Sequence, residues 1–266
     1  MIEIKNLTVE TNEKKIIKDI NLNISKGEIV GLTGKSGSGK STLLKTIFGI
    51  NNSNFKKYNG DIFIGGLNIT DLSNKEIRKI GGRKIGYIPQ NPMSAFDTRY
   101  TTEKLMIEIF TNRLNISKKD AKSIAVEKLK QLGLNDTDRI LNSNSNELSG
   151  GQLQRITCAI LTGLNTDYIL ADEPTSALDF ENTKILVNEL KKFKESSGIL
   201  LISHNIDVLE EICEQVYVME DGEIVGNGSI SSILSEPKSE FMKQIKKMRK
   251  LKDDRIWNTE KYCFKA

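Results

Sequence analysis

Apolar and polar residues alternate along the first part of the chain. Apolar side chains occupy every second position over several residues in Ile2–Val9 and again in Ile17–Ile24. A period of two is typical of strands with one buried face. The next segment, Glu28–Gly34, is a short apolar run that ends in glycine, and Ser41–Ile50 has helical spacing. The order strand, glycine-rich turn and helix predicts the first βα unit of an α/β fold.

The middle of the chain changes from strand-like to helical spacing. A further strand pair is predicted at Asp61–Ile64 and Lys84–Ile88, with a loop between the two strands. Beyond them, Ser117 is a predicted N-cap and Gly133 a predicted helix stop. The two helices predicted here are Glu103–Leu114 and Lys118–Leu132. Residues from Asn91 to about Leu164 are therefore expected to form a mostly helical insertion between β-rich parts.

Strands and helices alternate again after this insertion. The predicted strands are Thr166–Asp172, Ser197–Ser203 and Gln215–Val225, and the predicted helices are Glu181–Glu195 and Ile206–Cys213. The last strand segment contains Asp221-Gly222, which is a hairpin turn signal. Alternation of this kind indicates a largely parallel sheet covered by helices.

Composition and charge exclude several classes of protein. The 266 residues are 38% hydrophobic and 28% charged, which is typical of a globular chain and not of a disordered one. No apolar run approaches the ~20 residues that cross a bilayer, and no signal-peptide core follows Met1, so neither secretion nor membrane spanning is expected. The net charge of +4 is too small to indicate nucleic acid as a partner. Much of the positive excess lies in Lys243–Arg255, which is expected to be a solvated helix.

A phosphate-binding motif lies between the third predicted strand and the helix after it. Gly34–Ser41 satisfies the pattern G-x-x-x-x-G-K-[ST]. Glycines let the backbone curl until successive N–H groups face one concavity, and the following helix adds its positive dipole end. Lys40 is expected to reach the β- and γ-phosphates of a nucleotide, and the Ser41 hydroxyl to ligate Mg²⁺. The predicted nucleotide-binding residues here are Gly34, Lys35, Ser36, Gly37, Ser38, Gly39, Lys40, Ser41 and Thr42.

Two acidic residues end the apolar strand predicted at Thr166–Asp172. Asp172 lies at the C-terminal edge of that strand, where open α/β sheets bind their ligands, and is the predicted carboxylate for Mg²⁺. Glu173 is expected to act as a base for an attacking water. Because two acids also end many strands for structural reasons, the pair by itself leaves both interpretations open.

A run of five specified residues decides between these interpretations. Leu148-Ser149-Gly150-Gly151-Gln152 resembles the LSGGQ signature of the ABC-type ATPases. Gln90 in YIPQNP is similar to the Q-loop glutamine of that family. Ser176-Ala177-Leu178-Asp179 resembles the D-loop, with Asp179 as its acid. His204, the only histidine of the chain, resembles the switch histidine.

The resemblance implies a fold and a division of the chain. It covers approximately residues 1–235 and implies a P-loop NTPase core of the ABC type with an N-terminal antiparallel β part. The helical insertion of about 91–164 becomes a helical subdomain, and 236–266 is left as a basic C-terminal tail. The resemblance further implies ATP and Mg²⁺ as ligands. The implied catalytic residues are Glu173, His204 and Lys40, and the implied Mg²⁺ ligands are Ser41, Gln90 and Asp172.

The resemblance also implies partners. In the family, Leu148–Gln152 of one chain contacts the ATP bound to a second ATPase chain. The segment Gln90–Asp97 is similar to the Q-loop of the peptide and nickel importer ATPases, in which the two chains often differ, so a heterodimer is favoured over a homodimer. Two integral-membrane permease subunits and an extracytoplasmic substrate-binding protein are then expected, with this chain at the cytoplasmic face of the cell membrane. The implied cargo is nickel, a nickel chelate or peptides, and nucleic acid is not an expected partner.

Two positions of the chain depart from the family pattern, and two other functions compete with transport. Thr11 stands where the family often has an aromatic residue to stack on adenine. Only Cys263 lies where oligopeptide importer ATPases often have a cysteine cluster, which favours nickel or a chelate as cargo. A soluble ABC ATPase of DNA repair or translation would use the same site, but would have a long coiled coil or a second cassette. A non-hydrolysing regulatory cassette would lack Glu173 or His204.

Overall fold

Two β-sheets with surrounding helices make up the described chain. The computed structural model describes residues 1–12, 14–49, 55–176 and 178–250. The strands are β1 (Ile2–Thr11), β2 (Lys15–Ile24), β3 (Ile29–Gly34), β4 (Phe55–Ile64), β5 (Leu67–Asn68), β6 (Ile85–Ile88), β7 (Tyr168–Asp172), β8 (Gly198–Ile202), β9 (Gln215–Glu220) and β10 (Glu223–Gly228). The helices are α1 (Lys40–Phe48), α2 (Asn74–Ile80), α3 (Thr102–Leu114), α4 (Lys118–Gln131), α5 (Thr137–Asn142), α6 (Gly150–Leu164), α7 (Phe180–Lys194), α8 (Ile206–Ile212) and α9 (Ile230–Ser235), followed by a helical stretch at 240–250.

The larger sheet places the C-terminal ends of its parallel strands, and the site residues that follow them, at one edge. Its strand order is β10-β9-β3-β8-β7-β6, and all neighbours except the β9–β10 hairpin are parallel. Every residue of β3, β7 and β8 is buried, as expected for parallel strands with both faces covered. Because parallel strands end at the same edge, the segments after β3, β7 and β8 lie side by side. This edge carries Gly34, Asp172 and His204.

The smaller sheet is antiparallel and has the strand order β2-β1-β4-β5. The alternating apolar residues of β1 and β2 are buried, including Ile2, Ile4 and Ile24. They share one core cluster with Leu43 of α1 and Leu170 of β7. The predicted N-terminal antiparallel β part is confirmed. Its apolar face is buried against α1 and the larger sheet, as the face of a sheet must be covered by another element.

The helical subdomain contains α3 to α6, and its predicted cap and stop are both confirmed. The Ser117 side chain accepts a hydrogen bond from the backbone N–H of Asp120 at the start of α4. Gly133 follows the end of α4 with φ at +72°, which is the left-handed conformation common after helices. Phe110 of α3 and Leu153 of α6 are fully buried in the second core cluster. This cluster joins the helices to the larger sheet.

One predicted strand pairing is wrong. Strand β4 pairs with β1 and with the two-residue β5, whereas β6 pairs with β7 of the other sheet. Local alternation identifies a strand but does not identify its neighbour. The predicted loop between them also contains α2, which begins at a Ser73–Glu76 capping box that marks a helix start.

The hairpin turn between β9 and β10 forms where it is predicted. Asp221 has φ at 46° and Gly222 has φ at 86°, and two positive φ values are typical of the type I′ turns that favour Asp-Gly. A Cβ atom on Gly222 would also lie 2.5 Å from the carbonyl oxygen of Ile16. The turn therefore requires glycine for its backbone and for this contact with β2.

The first part of the predicted tail packs against the core. At 240–250 the chain is helical, and Met242 is only 2% exposed within the cluster that includes β9. Arg249 forms an ion pair with Glu210 of α8, and the other face of the helix is exposed, as at Lys243. The remainder of the tail, including Cys263, lies outside the described residues.

Candidate active site

Two glycines of the phosphate-binding loop, Gly34 and Gly39, have backbone conformations and close contacts that a residue with a side chain would not tolerate. Gly34 has φ at +148°, and a Cβ atom there would lie 1.9 Å from the carbonyl oxygen of Met219. Gly39 is the N-cap of α1, has φ at 103° and provides no side-chain cap. The first turn of α1 therefore keeps backbone N–H groups available to an anion at its positive end.

Lys40 lies inside this loop and is 5% exposed. Its Nζ atom donates hydrogen bonds to the carbonyl oxygens of Gly34 and Lys35, each at 2.8 Å. Burial lowers the pKa of the Lys40 ammonium, and the carboxylates of Glu173 and Asp172 act in the opposite direction. The loop thus holds a cation at its centre by carbonyl oxygens and nearby acids.

Asp172 is a buried carboxylate with a donor on each oxygen. The Ser41 hydroxyl donates to Oδ1 at 3.0 Å, and the Tyr87 hydroxyl donates to Oδ2 at 3.2 Å. Gln90 lines a cleft of about 540 Å³ together with Ser41 and Asp172. Hydroxyl, carboxylate and amide oxygens are hard ligands of the kind that Mg²⁺ prefers, so the residues predicted to hold this ion are suited to it.

Glu173 has an unusual backbone conformation directly after β7. Its φ is 47°, which is uncommon for a residue with a side chain and is found preferentially at functional sites. The Glu173 N–H donates to the carbonyl oxygen of Ile202 at 3.0 Å, so the end of β8 holds this conformation. Oε1 of Glu173 lies 2.9 Å from Nε2 of His204. The acid and the histidine therefore form a pair across two adjacent strand ends.

A cleft of about 220 Å³ brings most of the predicted site residues together. Ile16 also lines it, and sequence analysis did not single out this residue, whereas Thr11 is not among the lining residues. The lining residues are Ile16, Ser36, Gly37, Gly39, Lys40, Ser41, Thr42, Gln90, Glu173 and His204. The cleft adjoins the larger one through Ser41 and Gln90. Sequence analysis also missed Tyr87, whose only local signal is its place just before the Q-loop segment.

The signature segment lies elsewhere on the chain. Ser149 is the N-cap of α6 and forms a capping box with Gln152. Ser149 and Gly150 are exposed, and a Cβ atom on Gly150 would meet nothing within 4 Å. None of Leu148–Gln152 lines the cleft around Lys40. These residues therefore present the start of a helix to the surface.

The D-loop segment leads into α7. Asp179 is the N-cap of α7 and accepts a hydrogen bond from the Asn182 N–H at 2.8 Å. Asp179 is exposed, so its carboxylate combines a structural cap with an accessible surface position. Ala177 lies outside the described residues.

The sequence profile of the ABC transporter family matches residues 17–176, which include the phosphate-binding loop, the signature segment and the two acids at the end of β7. The chain belongs to the ABC transporter family. The predicted P-loop core, N-terminal antiparallel sheet and helical subdomain are those of an ABC-type ATPase, an enzyme that couples ATP hydrolysis to transport. Among the described residues, no helix is long and apolar enough to cross a membrane.

Several ATP-binding subunits and cassettes are similar to this ABC ATPase. The metal-staphylopine import system ATP-binding protein CntD of Staphylococcus aureus (strain NCTC 8325 / PS 47) is 31% identical over 96% of this chain and 95% of its own length. The dipeptide transport ATP-binding protein DppD of Lactococcus lactis subsp. cremoris (strain MG1363) is 32% identical over 91% of this chain and 71% of its own. The dimeric structure of the ATP-binding cassette MJ0796 bound to ADP and Pi superposes on this chain with a TM-score of 0.76 and 31% sequence identity. The match covers 86% of this chain and 98% of the MJ0796 chain.

Proposed function

We propose that this ABC ATPase drives an importer that takes up nickel, a nickel chelate or peptides through separate permease subunits. The observation that carries the proposal is one cleft containing Lys40, Ser41, Glu173 and His204, with Ser149 and Gly150 of the signature exposed elsewhere on the chain. Support for the cargo class comes from relatives named for metal-staphylopine, dipeptide and oligopeptide transport.

In this proposal the loop binds the phosphates of ATP. The N–H groups at the start of α1 and of the glycine-rich loop donate to phosphate oxygens. Lys40 exchanges its bonds to the carbonyl oxygens of Gly34 and Lys35 for bonds to the β- and γ-phosphates. A charged donor in a buried site forms stronger hydrogen bonds than a neutral one, so Lys40 supplies a large share of the affinity.

Ser41, Asp172 and Gln90 are the proposed Mg²⁺ ligands. When bound there, Mg²⁺ neutralises charge on the β- and γ-phosphates. Asp172 is 2% exposed, and a buried carboxylate is costly without partners. The hydroxyl donors of Ser41 and Tyr87 stabilise it.

Glu173 and His204 are the proposed catalytic pair. The Glu173 carboxylate accepts a proton from water as the water oxygen attacks the γ-phosphate, which gives ADP and phosphate. His204 lies 2.9 Å from Glu173 and is exposed by 42%, so it can contact both the carboxylate and the bound phosphate. Positioning of this kind, with charge neutralisation, accounts for most of phosphoryl-transfer catalysis.

We further propose that the signature completes the site of a second ATPase chain, with a heterodimer favoured over a homodimer. The exposed Ser149 hydroxyl and the N-terminal N–H groups of α6 would then contact the γ-phosphate held by the partner. A surface helix start is suited to an anion, and the cassette MJ0796, a similar protein, is dimeric.

Replacing Ser149 with arginine tests this arrangement. Ser149→Arg should leave ATP affinity unchanged, because Gly34–Ser41 is untouched. In a mixture with the second ATPase, hydrolysis of the partner's nucleotide should fall about 100-fold, as when a preorganised oxyanion donor is removed. Titration of ATP binding and measurement of the mixed turnover check both expectations. Ser117→Arg is the matched control, because it removes the same kind of helix cap from α4 away from the signature.

The rate of the isolated chain distinguishes the alternatives. A heterodimer predicts slow turnover of this chain alone and a higher rate after the partner is added. A rate that rises with the square of its concentration would favour a homodimer. Fast turnover independent of concentration would contradict a shared site.

The permeases, the extracytoplasmic substrate-binding protein and the position at the cytoplasmic face of the membrane remain part of the proposal. Reconstitution of the chain with its permeases and binding protein in vesicles would test them. We expect ATP-driven accumulation of nickel, a nickel chelate or a peptide. A chain that never associates with membranes would favour the soluble repair or translation function instead.

Base recognition provides a separate prediction. Among the described residues that line the Lys40 cleft there is no Phe, Tyr or Trp, and Ile16 is the apolar one. An apolar side chain contacts adenine and guanine alike, so ATP and GTP should bind with similar affinity. The base should also lack the roughly 1–3 kcal/mol that stacking on an aromatic ring contributes in nucleic-acid complexes.

Equilibrium titration of both nucleotides against the unmodified chain measures the two affinities. A strong preference of the unmodified chain for ATP would show that another side chain recognises the base.

A further inference from the structure

Tyr87 reaches the carboxylate of Asp172 from the neighbouring strand. In the parallel pair of β6 and β7, Tyr87 lies opposite Leu170. Residues two apart along a strand share a face, so Asp172 lies on the same face as Leu170, two residues further along β7. The long tyrosine side chain covers this offset, and its hydroxyl donates to Oδ2 at 3.2 Å. A phenylalanine here would fill similar space without this hydrogen bond.

The two oxygens of Asp172 have different partners. Ser41 donates to Oδ1 and Tyr87 donates to Oδ2. Rotation about the last bond of an aspartate side chain has broad minima, so one donor alone leaves the carboxylate plane poorly determined. Two donors on opposite oxygens determine that plane.

We propose that Tyr87 is a positioning residue that orients Asp172 for Mg²⁺. By holding Oδ2, its hydroxyl keeps Oδ1 directed at Ser41, the other proposed ligand. The inference rests on the proposed function, in which Asp172 and Ser41 hold this ion. Groups that orient a metal ligand in this way affect metal affinity even though they do not touch the metal.

The ring of Tyr87 is itself held in place. Its centroid lies 5.4 Å from that of Phe48, and the two rings are inclined by 35°. Phe48 ends α1, the helix that begins at the phosphate loop and carries Ser41. Tyr87 therefore connects the helix of one proposed Mg²⁺ ligand to the carboxylate of the other.

The test separates metal affinity from nucleotide affinity. For Tyr87→Phe we expect the Mg²⁺ concentration that gives half-maximal hydrolysis to rise about 10-fold, in the range found for groups that orient metal ligands. ATP affinity measured in EDTA should be unchanged, because the phosphate loop is intact. Tyr87→Met, which removes the ring as well, should show the same shift in Mg²⁺ requirement.

Tyr168→Phe is the matched control. Tyr168 begins β7, the strand that Asp172 ends, and its hydroxyl contacts the N-terminal amine of Met1. This variant loses a tyrosine hydroxyl from the strand of Asp172, but that hydroxyl does not contact Asp172. The Mg²⁺ requirement of Tyr168→Phe should therefore equal that of the unmodified chain.

A further variant distinguishes failure of this inference from failure of the proposed function. Asp172→Asn should abolish the response of nucleotide affinity to Mg²⁺. If it does, and Tyr87→Phe has an unchanged Mg²⁺ requirement, the role of Tyr87 is overturned and the ion site stands. If Asp172→Asn responds to Mg²⁺ normally, the proposed ion site is itself wrong. Equal losses of affinity by Tyr87→Phe with Mg²⁺ and in EDTA would show a general structural role and overturn the inference.

Discussion

Replacing Glu173 with glutamine is expected to stop hydrolysis while ATP stays bound. The amide keeps the size of the side chain but cannot accept a proton from the attacking water. Loss of a positioned general base lowers rates by about 10²- to 10⁴-fold. The contacts of Lys40 and Ser41 are unaffected, so ATP affinity should not decrease. Single-turnover hydrolysis and nucleotide titration measure the two quantities separately.

Trapped ATP should also stabilise the closed dimer of the Glu173→Gln variant. We expect this dimer to accumulate with ATP in size-exclusion experiments on the mixed ATPase chains, and to dissociate with ADP. Glu195→Gln at the exposed end of α7 is the control for the same chemical change away from the cleft. Hydrolysis by Glu173→Gln within a few-fold of the unmodified rate would mean that another group is the base. Absent hydrolysis by the unmodified chain together with its partner would favour a regulatory cassette.

The left-handed backbone of Glu173 affects how such variants should be interpreted. Positive φ costs of order 1–3 kcal/mol for a residue with a side chain, and here the N–H bond to Ile202 maintains it. Glutamine has the same backbone preference, so Glu173→Gln leaves this cost unchanged. A glycine at the position would remove the cost together with the proposed base, so higher stability with lost activity is the expected result of Glu173→Gly.

Sequence analysis predicts best the features that depend on neighbouring residues along the chain. The glycine-rich loop at Gly34–Ser41 and the Asp-Gly turn before β10 require particular backbone conformations, and glycine or aspartate reveals them directly. The buried strands β3, β7 and β8 are readable as apolar runs because both of their faces are covered. Parallel order then places Asp172 and His204 at one edge.

Features that depend on contacts between distant segments are not predictable in this way. Whether β4 pairs with β1 or with β6 depends on how the two sheets form in the folded chain, and the local alternation of apolar residues does not contain this information. The contact of Tyr87 with Asp172 requires the register of two strands. The helix predicted at Lys243–Arg255 begins earlier, at 240, and Met242, just before the predicted range, is buried. Each of these depends on packing that appears only in three dimensions.

Removing the charge of Lys40 is expected to abolish useful ATP binding. Hydrogen bonds to charged groups contribute about 1.5–3 kcal/mol each, and in the proposed function Lys40 donates to both the β- and the γ-phosphate. Losing two such bonds weakens binding by about 3–6 kcal/mol, or at least about 100-fold. Equilibrium titration of ATP against Lys40→Ala measures the loss.

Lys40→Ala also removes the apolar stem of a buried side chain, and any substitution here loses the bonds from Nζ to the carbonyl oxygens of Gly34 and Lys35, so the fold must be tested separately. Lys40→Met keeps the apolar stem of the side chain and should unfold at nearly the temperature of the unmodified chain, yet bind ATP as poorly as Lys40→Ala. Lys26→Ala is the control, because Lys26 forms an ion pair with Asp167 at the opposite edge of the larger sheet. Near-normal ATP affinity in a folded Lys40→Met chain would contradict the role of this lysine. If affinity and unfolding temperature fell together only in Lys40→Ala, the lysine would act on the shape of the loop rather than on the phosphates.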